Sequence, residues 1–228
     1  MVGRSVGCLS AVLIGLAGCT KAPYLCAGER ECGLKAACVA GRCLPNGSVA
    51  AIEGARRWEV EPVDVACVRE TGMQAGDSAW TATLGRADGS AIILLRFSLS
   101  LPPETEVLEA YVLLDRATDF DADPVPVSVH AQLIASAWTP ASVSWASRPR
   151  LRDVGTPWTK AFPWGAETVR IDVRDIVTGK KRGARSDVGI AIGQGLAITA
   201  LASSPTGIAF ALESGEQGRR PRLELYVK

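Results

Sequence analysis

Histidine is almost missing from this chain: one imidazole in 228 residues. That excludes His-rich metal centres and leaves little for imidazole-based catalysis. A surplus of one charge sign is missing too, since Lys plus Arg total 25 against 24 for Asp plus Glu. Nucleic-acid binding and polybasic membrane-surface binding both need clustered positive charge, so neither is expected. No run approaches the roughly 20 apolar residues that span a bilayer. Repeats and low-complexity segments are lacking as well. What is present has globular composition: 47% hydrophobic and 21% charged residues, which argues against disorder. Gly 23 and Pro 13 supply turns, and the length suits one domain with a small companion. Seven cysteines are an odd number, and each needs a use.

The N-terminus reads as an export and anchoring signal. Arg4 precedes an uncharged run from Val6 to Ala17, the size of a signal-peptide apolar region. Leu16-Ala17-Gly18-Cys19 then resembles the lipobox of bacterial lipoproteins: an aliphatic residue, two small ones, and the cysteine that takes the lipid. The expected order is residues 1–18 as signal peptide, then 19–53 as lipidated Cys19, cysteine-rich stalk and linker. Residues 54–228 form the main domain. Each buried methylene of an acyl chain contributes about 0.8 kcal/mol, so lipid anchors the protein without a span. Residue 20 is Thr rather than Asp, which by analogy with enteric lipoproteins points to the outer membrane of a Gram-negative cell. Removing 1–18 takes away Arg4 and no acid, so the mature side chains balance and attachment rests on lipid. Gly3-Arg4-Ser5-Val6-Gly7 matches a nucleophile-elbow pattern but lies in the cleaved signal.

Cys8 leaves with the signal and Cys19 carries lipid. Cys26, Cys32, Cys38 and Cys43 crowd a Gly- and Ala-rich segment with little core-forming capacity. In an oxidising compartment two disulfides are the expected staples, with three pairings open. A four-thiolate zinc site is the other use, although only the last gap has knuckle spacing. Cys67 lies in the strand-like run Val63–Val68 and is expected to pack as a small hydrophobe, with a bridge as the alternative. Asn46-Gly47-Ser48 matches a glycosylation sequon and reads more simply as a turn in the linker.

From Arg56 onward, short β-rich runs alternate with turn residues. Trp58–Glu61, Ala91–Leu99, Val107–Leu114, Val125–Ala131, Thr168–Val173, Val188–Ile192, Ile208–Leu212 and Leu223–Val227 are the expected strands. One short helix is expected over Asp172–Lys180, with Asp172 as cap, Ile176 and Val177 inward, and Gly179 as stop. The fold class is all-β, an antiparallel β-sandwich of jelly-roll kind preceded by a small disulfide-rich segment.

Several separated segments then fall into a familiar order: Leu94-Leu95-Arg96-Phe97-Ser98-Leu99; Trp138-Thr139-Pro140-Ala141-Ser142-Val143-Ser144-Trp145-Ala146-Ser147-Arg148-Pro149; Ile171-Asp172-Val173; Glu213 after Phe210-Ala211-Leu212; and Pro221-Arg222-Leu223-Glu224-Leu225. Over residues 90 to 228 this resembles the DNRLRE domain, the disaggregatase-related carbohydrate-binding module. The resemblance implies a sandwich that binds polysaccharide without catalysis. The chain departs from the family pattern at Ser98, Ser142, Ala146 and Arg174, where the family carries polar or acidic residues or Thr. An envelope scaffold that has lost sugar binding is therefore the alternative reading. An enzyme is not expected, because no nucleophile with a partnered base is recognisable.

Candidate site residues follow from chemistry. Residues 156–165 form a Pro- and Gly-bounded loop with exposed-type aromatics, so Trp158 and Trp164 are candidates to stack on sugar rings. Trp138 and Trp145 are expected in the core, and Trp58 and Trp80 on strands. Arg96 interrupts an apolar strand; it either pairs structurally, with Asp172 or Glu213, or holds an acidic sugar. Asp119, Asp121 and Asp123 are spaced as hard oxygen ligands for Ca²⁺ and also as a solvated turn. His130 is expected on a strand face. No other cofactor is expected; the expected partners are polysaccharide and, through lipid, a membrane.

Overall fold

A computed structural model describes residues 36–39, 42–45, 54–70, 80–102, 104–117, 125–161, 168–179, 193–201, 204–213 and 219–228. The lipobox, the three aspartates Asp119, Asp121 and Asp123, Trp164 and the run Val188–Ile192 lie outside these residues. No helix among the described residues is long and apolar enough to cross a membrane.

The protein is all-β, and its sheets are antiparallel. The small module contributes a hairpin of β1 (Ala36–Val39) and β2 (Arg42–Pro45), whose register sets Cys38 opposite Cys43. The two cysteines are thus backbone neighbours within the set expected to form bridges.

The main domain holds two larger sheets. The first runs β10 (Thr159–Ala161), β8 (Val127–Ile134), β12 (Leu196–Ala200), β6 (Ala91–Phe97), β4 (Pro62–Arg69), with β9 (Leu151–Arg152) also on β8. The second runs β11 (Thr168–Asp172), β7 (Val107–Asp115), β14 (Arg222–Val227), β3 (Arg56–Val60). A short pair joins β13 (Ile208–Ala211) to β5 (Thr81–Leu84). The period-two pattern places alternate residues on opposite faces. One apolar core therefore collects Ile93 and Leu95 of β6, Val129 and Ala131 of β8 and Leu196 and Ile198 of β12. It also takes in Val112 and Leu114 of β7, Ile171 of β11, and Leu223 and Leu225 of β14. Fully burying one such side chain contributes about 1.5–3 kcal/mol.

Helix α1 (Arg174–Thr178) follows β11, with Ile176 and Val177 buried as expected. Its N-cap residue is Val173, not the expected Asp172. Asp172 stands one position earlier as the last residue of β11, and its Oδ1 still accepts the Arg174 N–H at 3.1 Å. Gly179 ends the helix in the left-handed conformation.

Apart from Val188–Ile192, the expected strands appear within a few residues of their expected ends. The sequence reading missed β5, β9, β10 and β12. β12 stands where no strand was expected, and its residues Leu196-Ala197-Ile198 are all fully buried. Buried on both faces, a central strand loses the alternation that marks the others.

The outer face of the first sheet is covered at one end by a second apolar cluster. Val68, Ile92, Leu94, Ile134 and Ala197 pack there beneath Trp138, with Trp145 partly buried beside them. These two tryptophans are packing residues: the Trp138 indole donates to the Gln194 carbonyl at 2.8 Å, and the Arg148 guanidinium sits 4.3 Å from the Trp145 ring centroid. Cys67 is half-buried and packs against the main core, as a small hydrophobe would.

The candidate functional site

The other end of that outer face is built differently. Along the free side of β8, β9 pairs Arg152 with Leu133, and β10 pairs Thr159 with Val129. Between these pairs six residues, Asp153 to Trp158, stand opposite only three, His130 to Gln132. The surplus chain must bulge away from the ladder. Backbone groups of β8 left without a ladder partner are then served by side chains. The buried Thr156 hydroxyl donates to the Ala131 carbonyl at 2.5 Å. Asp153 Oδ1 accepts the Gly155 N–H at 2.7 Å, tightening the turn.

This excursion returns Trp158 over the sheet. The Trp158 ring lies 3.8 Å, centroid to centroid, from the His130 ring, tilted by 57°. Trp158 is 47% exposed, whereas His130 is 5% exposed. Val129 and Ala131 face the core, so His130, Ser128 and Gln132 face outward. Thr199, opposite His130 on β12, shares that face, and its hydroxyl reaches Gln132 Oε1 at 3.5 Å. Leu201, bonded through its N–H to the Ser128 carbonyl, adds a second exposed apolar side chain at 54%. The result is an exposed indole and an exposed aliphatic group flanking hydroxyl, amide and imidazole groups on a rigid sheet.

Electrostatically, the imidazole is the unusual member. Neither ring nitrogen makes a hydrogen bond of proper geometry, although the Gln132 side chain lies beside the ring. Burial pushes the His130 pKa below its ordinary value; the Asp153 carboxylate and Gln132 act the other way and do not outweigh it.

On the other side of the same excursion lies a cleft of about 210 Å³, lined by Gly155, Thr156, Pro157, Asp172 and Asp175. It offers two carboxylates as hydrogen-bond acceptors for hydroxyl groups. Asp175 Oδ1 is buried without a hydrogen-bond partner among the described residues, and the Arg174 guanidinium lies 4.0 Å from it.

Arg96 belongs to neither feature. It pairs with Asp64, its cross-strand neighbour on β4, and not with Asp172 or Glu213. Arg96 Nε donates to Asp64 at 2.6 Å, Nη1 donates to the Trp138 carbonyl at 3.3 Å, and the guanidinium lies 5.2 Å from the Trp138 ring. Glu213 is exposed, and Asp172 lies at the end of β11 in the second sheet. Outward projection of Arg96 from the first sheet rules both out, since a strand's alternate residues take opposite faces. Arg96 therefore ties the loop carrying Trp138 to the sheet.

Of the sequence candidates, the structure places Trp158 in the exposed site and assigns Arg96 to packing. Trp80 is 59% exposed beside β5, remote in the chain from this face. Sequence reasoning missed Gln132, Thr199 and Leu201 as members of the site. The alternation of β8 could have flagged Gln132, but Thr199 and Leu201 sit on and after the unrecognised β12. Among the described residues, no three His, Cys, Asp or Glu side chains converge to hold a metal. No family model matches this chain, and no curated protein matches it either.

Proposed function

We propose that the protein is a lipid-anchored, non-catalytic carbohydrate-binding module. The two larger sheets would form the layers of a β-sandwich of jelly-roll kind, carried on a disulfide-stapled stalk in the cell envelope. Its partner would be cell-wall or extracellular polysaccharide. The observation that carries this reading is Trp158: a half-exposed indole held over a sheet face whose neighbours are Ser128, Gln132 and Thr199. A pyranose ring presents axial C–H groups that suit an aromatic face, and its equatorial hydroxyls need the kind of hydroxyl and amide partners found here. The order of motifs resembling the DNRLRE domain supports the same reading.

The site is shallow, so affinity would be modest and would come from the platform. Retention of the mature protein on insoluble cellulose and xylan, on soluble pectin and on peptidoglycan sacculi tests it. Trp158→Ala is expected to weaken retention at least about tenfold, which is roughly 1.4 kcal/mol. Its thermal midpoint should stay close to that of the wild type, because half of the ring is already in water. No retention on any of these polymers would overturn the reading.

A further inference from the structure

We propose that His130 and Trp158 form a proton-operated latch: with the imidazole neutral, Trp158 lies closed over it as the platform, and protonation lifts Trp158 away. The latch stands on geometry without any ligand; its effect on sugar binding rests on the reading of this face given above.

His130 is enclosed from every side. β8 itself brings Gln132, whose side chain lies beside the ring, and Ser128. From β12 comes Thr199, its register partner, which carries no charge. From the β9 side comes Asp153, the acid whose charge acts on the ring. From the β10 side comes Trp158, just ahead of the strand. Each of these neighbours is uncharged except Asp153, which is itself exposed and committed through Oδ1 to the Gly155 N–H.

An imidazolium in this position would carry two N–H donors; neither nitrogen has a partner of proper geometry in the closed state, and the Gln132 side chain beside the ring can serve at most one of them. A buried charge without hydrogen bonds is costly, so the proton is accommodated by admitting water. The sheet cannot open, because β8 is paired on both sides by β12 and by β9 and β10. The cover that can move is Trp158, at the end of a six-residue excursion that makes no ladder pairs. Stacking with Trp158 would hold the imidazolium in place only if both N–H groups were also satisfied, and Gln132 can serve at most one. Acid therefore opens the latch and removes the platform.

The chain's single histidine makes the test direct, because its imidazole gives one proton NMR signal to follow. In the mature protein that signal is expected to titrate below the free-histidine value. In Trp158→Ala it should move back toward that value, since the cover is gone. Acrylamide quenching of tryptophan fluorescence should rise with the same midpoint in the wild type and stay flat with pH in His130→Phe. An imidazole that titrates at the free value and ignores Trp158→Ala overturns the latch, as does quenching that stays flat in the wild type. The wild-type measurements decide the matter even if His130→Phe does not fold. Retention on the polymers named above separates the two readings. Retention that needs Trp158 but does not change through the His130 titration overturns the latch alone. Titrating quenching with no retention on any polymer supports the latch and overturns the glycan reading alone.

Discussion

Glu224 shows how a single residue can hold one sheet face together. It is fully buried, yet it sits on the outward side of β14, between Leu223 and Leu225 of the core. Arg57 on β3 donates to it through Nε at 2.6 Å, and Arg170 on β11 approaches to 3.7 Å. Nearby, Arg222 Nη1 donates to Asp115 Oδ1 at 3.1 Å. These guanidinium groups lie across β3, β14, β7 and β11 and shield the carboxylates from water. Removing one partner of a buried pair leaves the other uncompensated. Glu224→Ala is expected to lower unfolding stability by about 3 kcal/mol in urea titration, the low end of that range because the Arg57 side chain is half in water. His130 has the opposite character: it is buried as a neutral group. Unfolding returns it to its ordinary pKa, so between the two values the unfolded chain holds more protons. Its contribution to stability is therefore present near neutral pH and is lost as pH falls from the ordinary histidine pKa of about 6.5 through the lower folded-state value. Urea midpoints across that range should fall further for the wild type than for His130→Phe.

At the scale of elements, the approach to β12 is the tightest feature of the first sheet. Gly195, just ahead of it, has φ +103, and a Cβ there would collide with the Leu95 carbonyl of β6. Its own carbonyl accepts the Ile134 N–H at 3.1 Å, so the turn is locked from both neighbouring strands. Gly195→Ala combines a disfavoured backbone with a backbone clash, and a loss of about 1–3 kcal/mol is expected in thermal or urea unfolding. Period-two polarity made β3 and β14 legible, although the polar side of β14 is buried by ion pairing, and β7 was legible as a long apolar run. β12 was not, because burial on both faces erases that signal. β9, β10 and the excursion between them were illegible for another reason. Six residues opposite three is a relation between two chain segments, and neither segment carries it by itself. Trp158 could be named as an aromatic in a Pro-bounded loop; that it would close on His130 depended on this mismatch.

At the scale of the whole molecule, the proposed function would divide anchoring, by lipid on Cys19, and binding, by the sheet face with Trp158, between separate parts of the chain. Cys19→Ser in the full-length protein is expected to move it from the membrane fraction to the soluble fraction, read by fractionation and by loss of the acyl mass. Polymer retention of the released protein should be unchanged, since the excursion and β8 lie far along the chain from residue 19. Sequence by itself determined the balance of charge, the all-β character, most of the longer strands and the small helix with Ile176 and Val177 inward. These depend on residue type and short-range period. Tertiary structure alone decided which groups meet. It paired Arg96 with Asp64 across neighbouring strands, set Trp138 and Trp145, already expected to pack, on the outer face of the first sheet, and left Trp158 exposed over the chain's one imidazole. Register and bulges bring together residues distant in sequence, and no local pattern encodes that proximity.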